Sequence, residues 1–245
     1  KKDYLLRSIK TITKKKFLKI SKNKSIKKIN NFYNKRKKNK TLNWYTMKDY
    51  KIANLYNKKS DTFINFLSNK TKTKILFACH AFADAPHASG QFIFNDYFDQ
   101  FMKTFNFACN DDQNLWIFKP HPNSRILDEK KIFKKQFMNN KKNNILLCPD
   151  NIPIQKLLDT CDVVITGRGT IGMEFAALGK KAIIAGSAPY SDLNIVFQAR
   201  SKKEYFNFLK NIKELTKSKD TKQIKKISRQ LIYILENCLH HKKIT

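Results

Sequence analysis

Val163-Val-Ile-Thr-Gly-Arg-Gly-Thr-Ile-Gly172 runs a short apolar stretch into a glycine-rich turn and then a helical segment. Three consecutive β-branched residues without polar alternation suit a strand buried on both faces. Glycines in the turn let backbone N–H groups approach a ligand closely, and the dipole of the helix that follows favours an anion. Arg168, the backbone at Gly169 and the hydroxyl of Thr170 are donors suited to phosphate. Glu174, one turn further on, could accept from a ribose or sugar hydroxyl. The stretch is neither a GxGxxG fingerprint nor a P-loop, since no Gly-Lys-Ser/Thr follows. Its plainer reading is a tight strand–helix turn with a surface Arg and a carboxylate that complements the dipole.

The same texture repeats on both sides. Ile75-Leu-Phe-Ala-Cys79, Leu115-Trp-Ile-Phe118, Ile145-Leu-Leu-Cys148 and Ala182-Ile-Ile-Ala185 read as four more buried strands. Helices are expected at about 92–107, 128–139, 153–160 and 171–179, and the tail 202–239 reads as two amphipathic helices. Strands alternating with helices at this spacing predict an α/β fold, a Rossmann-like parallel sheet with right-handed crossovers. Ligands in such sheets bind at the strands' carboxyl ends, and the unusual residues of this chain fall there.

Four loops carry them. His80, Asp84 and His87 follow the first strand, with spacing that matches no zinc pattern; general-base work, phosphate contact and loop hydrogen bonding are the competing readings. Lys119-Pro-His-Pro122 ends the second strand, and the two prolines hold His121 on a stiff loop. Tyr190 and Ser191 follow the fifth strand. No GxSxG elbow and no Cys paired with a His supports covalent hydrolase chemistry. The five cysteines show no CxxC pairing, and Cys79, Cys148 and Cys161 are expected as free buried thiols.

Charge is distributed unevenly. The net charge is +31, and residues 1–74 hold 24 Lys/Arg against 3 Asp. Apolar positions in this segment, Leu5, Ile9 and Ile12, then Phe17, Ile20, Ile26 and Ile29, suggest short basic helices. Two more are expected around 50–56 and 63–67. Lys, Asn and Ile abundance together is what AT-rich codons favour, so part of the charge reads as a solvated compositional bias. The other readings are docking on an anionic membrane surface and, more weakly because aromatics are not interleaved, nucleic-acid binding. No apolar run reaches bilayer-spanning length and no signal-peptide h-region is visible. The expected organisation is a basic helical segment over 1–74, a Rossmann-like domain over 75–200 and C-terminal helices over 201–245.

Read in order, His80-Ala-Phe-Ala-Asp-Ala-Pro-His87, Phe94-Asn-Asp-Tyr97, Trp116-Ile-Phe-Lys-Pro-His-Pro122, Thr166-Gly-Arg-Gly-Thr-Ile-Gly-Met-Glu174 and Ala185-Gly with Pro189-Tyr-Ser191 resemble capsular and surface polysaccharide glycosyltransferases. These are similar in turn to CDP-glycerol glycerophosphotransferases and to bacterial transferases that use CMP-sugars. The helix beginning at Ser201-Lys-Lys-Glu204 is also similar to the family's. The resemblance implies the C-terminal, donor-binding half of a GT-B enzyme, with no required metal or other cofactor. It implies a CMP- or CDP-linked donor first and a UDP-linked donor second, with a glycan or lipid-linked glycan acceptor. His121 and Thr170 would contact the donor phosphates, with Lys119, Arg168, Gly169, Tyr190 and Ser191 nearby. Glu174 would reach the ribose or sugar, and His80, Asp84 and His87 would be the catalytic group, serving acceptor or leaving group. The family pattern has a small residue or His where Arg168 stands. Residues 1–74 are too short and polar for a second Rossmann domain, so the acceptor half is expected elsewhere. The resemblance also implies a cytoplasmic place, peripheral at the inner face of a bacterial membrane. The rival reading is a non-catalytic nucleotide- or membrane-binding module with a basic arm.

Overall fold

The computed structural model describes residues 17–18, 21, 25–39, 58–125, 128–217 and 221–235. The helical readings at 5–12 and 50–56, the end of the tail and Cys238 lie outside the described residues. Six parallel strands form one sheet: β1 (Thr73–Ala78), β2 (Asn114–Lys119), β3 (Ile145–Leu147), β4 (Val163–Thr166), β5 (Lys181–Ile184) and β6 (Phe197–Gln198). Their order is β3-β2-β1-β4-β5-β6. The chain therefore builds outward from β1 in one direction, then returns to β1's other edge at β4 and builds outward again. In open sheets with such a reversal, ligands bind in the crevice outside the carboxyl ends of the strands where the order reverses, which here are β1 and β4.

Burial on both faces explains the continuous apolar runs. Ile75, Phe77, Trp116, Phe118, Val163 and Ile165 point to one side of the sheet, against Phe101 and Phe105 of α3 (Tyr97–Cys109) and Tyr205 of α7 (Lys202–Lys210). Leu76, Ile117, Val164 and Ala182 point to the other. There they meet Leu67 of α2 (Lys58–Ser68), Leu157 of α5 (Ile154–Thr160) and Phe175 of α6 (Ile171–Leu178). A third apolar cluster joins α6 to α9 (Thr221–Ile234) through Ala176, Ala177, Leu231 and Ile232. Phe17 is buried in that cluster, and Phe32 of α1 (Ile26–Asn39) packs against it. Part of the basic segment is thus seated on the domain.

Boundaries differ from the sequence reading where local bonds intervene. α3 starts at Tyr97 rather than about 92, because Phe92 bridges Gly186 and Ile93 donates its N–H to Ala185 O at 3.1 Å. Asp96 then caps the helix, its carboxylate accepting from Asp99 N at 2.6 Å. Among its described residues the tail forms three helices rather than two, α7, α8 (Ile212–Lys217) and α9. α4 (Lys130–Asn139) follows the second-strand loop. Gly179 ends α6 in the left-handed region at φ 83°, its N–H bonded back into the last turn. Cys79, Cys148 and Cys161 are buried free thiols, and burial pushes the latter two up to about 12. No helix among the described residues is long and apolar enough to cross a membrane.

Candidate functional site

The site starts where β1 and β4 lie side by side, with Ala78 paired to Thr166. His80 sits two residues beyond β1 and leans on the turn that follows β4. Its Nε2 accepts the Arg168 backbone N–H at 3.2 Å and lies 3.3 Å from the Thr166 hydroxyl. A nitrogen that accepts from an amide carries no proton, so the His80 proton belongs on Nδ1. The ring stacks on Tyr97, with centroids 4.2 Å apart and planes 10° from parallel. Gly167 makes this possible: a Cβ there would lie 2.6 Å from Tyr97 Cε1 and 3.1 Å from His80 Cδ2.

Burial, and then the neighbouring His121 and Arg168, lower the His80 pKa from its ordinary 6.5 to about 3. An unfolded ring takes up its proton near 6.5, the folded ring only near 3, so the stability tied to neutral His80 is intact above pH 6.5 and is lost progressively as pH falls toward 3. By pH 4.5 the loss amounts to about 2–3 kcal/mol. Urea midpoints followed from pH 7 to pH 4.5 should therefore fall more steeply for the wild type than for His80→Gln, whose side chain does not titrate; parallel slopes would refute the assignment.

Behind the turn stands Tyr190, fully buried, whose hydroxyl donates to the Gly169 carbonyl. Burial first, and then nearby Glu174, raise its pKa far above the phenol range, so it remains a donor. Gly172 leaves room for it, since a Cβ there would lie 2.6 Å from the Tyr190 oxygen. Arg168 joins three loops. Its Nε donates to Ser187 O at 2.8 Å, its Nη1 to Pro86 O, and its backbone N–H to His80. Thr170 stands exposed at the start of α6, its side chain making no capping bond. Glu174 is half-buried in the first turn of that helix.

His121 approaches from β2. Its Nδ1 accepts the Asn123 N–H at 3.1 Å, which leaves the ring proton on Nε2 as a donor. The residue that ties this loop to the His80 loop is Glu129, which sequence reasoning missed. The residue is 5% exposed. One oxygen accepts from Phe82 N at 2.6 Å and Ala83 N at 3.2 Å; the other accepts from the Ser124 hydroxyl at 2.6 Å.

His80, Arg168, Gly169 and Tyr190 thus form one bonded group, with His121 and Glu174 electrostatically coupled to it. The other expected residues have separate local partners. Lys119 Nζ donates to Pro149 O at 3.0 Å and Asp150 O at 3.2 Å, beyond β3. His87 is exposed and donates from Nε2 to Asn95 O at 2.8 Å. Ser191 Oγ accepts the Ala188 N–H at 2.8 Å and closes its own turn. Asp84 is exposed on a turn in which its N–H bonds Ala81 O at 3.1 Å. Among the described residues no group of three His, Cys, Asp or Glu side chains could hold a metal ion.

The glycosyltransferase of Rickettsia africae ESF-5 shares this fold, with a TM-score of 0.51 and 13% identity over 78% of this chain and 51% of that one. Two further solved structures align less closely. The UDP-GlcNAc 2-epimerase of Neisseria meningitidis, bound to UDP-GlcNAc, has a TM-score of 0.46, with 12% identity over 73% of this chain and 47% of that one. KpsC beta Kdo 2,7 transferase of Thermosulfurimonas dismutans has a TM-score of 0.43, with 11% identity over 80% of this chain and 55% of that one. The chain spans about half the length of these structures. No curated protein matches the sequence significantly. A family model, described as capsule polysaccharide biosynthesis protein, matches residues 8–225, which takes in most of the basic segment as well as the sheet. The chain belongs to the capsule polysaccharide biosynthesis family.

Proposed function

We propose that this chain is the donor-binding half of a GT-B glycosyltransferase that adds a sugar, or a sugar- or polyol-phosphate unit, to a bacterial capsule or other surface glycan. The observation that carries the reading is the reversal of strand order between β1 and β4, where the Gly-Arg-Gly-Thr turn, the start of α6 and His121 come together. In transfer of a sugar, the bond from its anomeric carbon to the donor phosphate oxygen breaks, an acceptor oxygen bonds that carbon, and the nucleotide leaves with the negative charge. Fixed donors in a crevice that replaces water stabilise that growing charge. Thr170, the first N–H groups of α6 and the Nε2 proton of His121 would supply them, with Arg168 and Lys119 adding positive charge. Glu174 would accept from a ribose or sugar hydroxyl.

The acceptor side is assigned to His80, Asp84 and His87. His80 is neutral with its Nε2 occupied, so it offers a donor from Nδ1 and holds the turn, while exposed Asp84 is the better placed to take an acceptor proton. Cytidine is the first expected base and uridine the second, the charged groups of the site standing in for a metal. The enzyme would act from the cytoplasmic side, peripheral to the inner face of the membrane.

A thermal-shift panel with CMP, CDP, UMP, UDP, GDP and ADP tests the reading. A nucleotide at about 100 times its Kd adds about 2.7 kcal/mol to the folded state, a rise of roughly 5–10 °C for a domain of this size. His121→Ala should reduce the response to the same nucleotide by half or more. A folded sample that responds to none of the six would overturn the proposal.

A further inference from the structure

The flank built by α1 and α9 carries a second concentration of charge that the donor site does not use. Within α1 there are six Lys/Arg and within α9 four, and neither helix contains an Asp or Glu. On α9, Lys222, Lys225, Lys226 and Arg229 follow i, i+3, i+4, i+7 spacing and share one face. They form one wall of a cleft of about 240 Å³ whose opposite wall comes from Ile26, Ile29 and Asn30 of α1. Arg229 pins the walls together, its Nε donating to Ala177 O at 3.1 Å and its Nη1 to Asn30 Oδ1 at 3.2 Å. Lys222 and Lys226 stay exposed on one side, Lys27 and Lys28 on the other.

Exposed apolar groups accompany these charges, Ile26 in the wall of the cleft itself. Ile26 is 51% exposed and Leu18 is 48% exposed, although Phe17 beside it is anchored in the cluster beneath α9. A dissolved polyanion gains little from exposed Ile and Leu. The boundary between lipid headgroups and acyl chains takes up both kinds of group, lysines at the phosphates and aliphatic tips just below. The cationic stripe also begins at the end of α6 remote from Thr170, because Gly179 at the helix's C-terminus touches Thr221. A helix of that length separates its two ends by about 12 Å, so the crevice and the stripe lie apart.

We propose that the α1–α9 face docks the protein on an anionic lipid bilayer, with lipid phosphates seated in the cleft and Ile26 and Leu18 entering the interface. This gives the peripheral location in the proposed function a defined surface. The test is co-sedimentation of the full chain with phosphatidylcholine vesicles, with and without phosphatidylglycerol. Binding is expected only with phosphatidylglycerol and should weaken as salt rises. The triple variant Lys222→Gln, Lys225→Gln, Lys226→Gln should bind roughly a hundredfold more weakly. Ile26→Ser should weaken vesicle binding severalfold and leave binding to a single-stranded oligonucleotide unchanged. Equal binding to neutral vesicles, a triple variant that binds like the wild type, or oligonucleotide capture that outcompetes the anionic vesicles would each overturn the proposal. Running the nucleotide thermal shift on the same triple variant separates the two ideas: a retained shift with lost vesicle binding supports both, and a retained shift with intact vesicle binding sinks only the docking face.

Discussion

Glu129→Ala is expected to lower the unfolding free energy by about 3–5 kcal/mol, while Glu129→Gln should cost about 1 kcal/mol. The carboxyl group is buried and accepts from two backbone amides and one hydroxyl. Alanine removes the acceptor from all three donors, and each buried group left without a partner costs about 1–3 kcal/mol. Glutamine keeps an oxygen for Phe82 N and Ala83 N, and its amide N–H can meet the Ser124 hydroxyl, which can accept as readily as it donates. The functional consequence should follow the geometry. Without Glu129 the His80 loop and the His121 loop lose their shared strut, so the nucleotide-induced rise in melting temperature should vanish in the alanine variant and survive in the glutamine one. Urea unfolding of both variants checks the first statement and thermal shift the second. Similar losses for Ala and Gln would mean that the negative charge, rather than the bonding pattern, holds the loops.

Gly167→Ala is expected to cost about 3 kcal/mol, at the upper end for an added methyl in a packed site. The new Cβ would meet Tyr97 Cε1 at 2.6 Å, Gln100 Oε1 at 3.1 Å and His80 Cδ2 at 3.1 Å. None of these yields easily: Tyr97 is buried and stacked on His80, and Gln100 is 2% exposed. Gly172→Ala, whose Cβ meets Tyr190 at 2.6 Å, provides the comparison. It too should destabilise, but by less, because alanine inside a helix recovers about 1 kcal/mol of backbone propensity. Denaturant unfolding of the two variants side by side decides it, and an innocuous Gly167→Ala would show that the His80–Tyr97 stack is loose.

The sheet was readable because five of its strands are runs of buried apolar residues, and a buried strand announces itself by lacking alternation. β6 escaped notice since two residues, Phe197 and Gln198, cannot display a period. The convergence of loops was readable from the rule that ligands gather at strand carboxyl ends, and the bonding of His80 to Arg168 agrees with it. What stayed hidden was the direction of individual polar atoms. Lys119 and Ser191 looked like phosphate donors by type and position, but each also bonds backbone in its own neighbourhood. Arg168 stood out as a guanidinium, while its role as a tie between Pro86 and Ser187 depends on loops far apart in sequence. Glu129 was hidden by its setting: a Glu just ahead of two lysines at a helix start looks like a solvated charge, and nothing local announces that it points inward.

The place of β1 beside β4 has a consequence for how the molecule is made. Residues 75–78 find their partners at 163–166, so β1 presents one bare edge of unpaired N–H and C=O groups between apolar side chains while the intervening segments emerge from the ribosome. A contact across so long a span brings a large loop-closure cost before it returns any stabilisation, which makes it a late event. β1, β2 and β3 can associate first, but they leave the crevice without its second wall. The arrangement of the His80 loop against the turn at 167–170 therefore cannot form in any partly synthesised or C-terminally truncated form that stops short of β4. Such a form would display β1 as an open strand edge, the feature most prone to pair with a neighbouring chain.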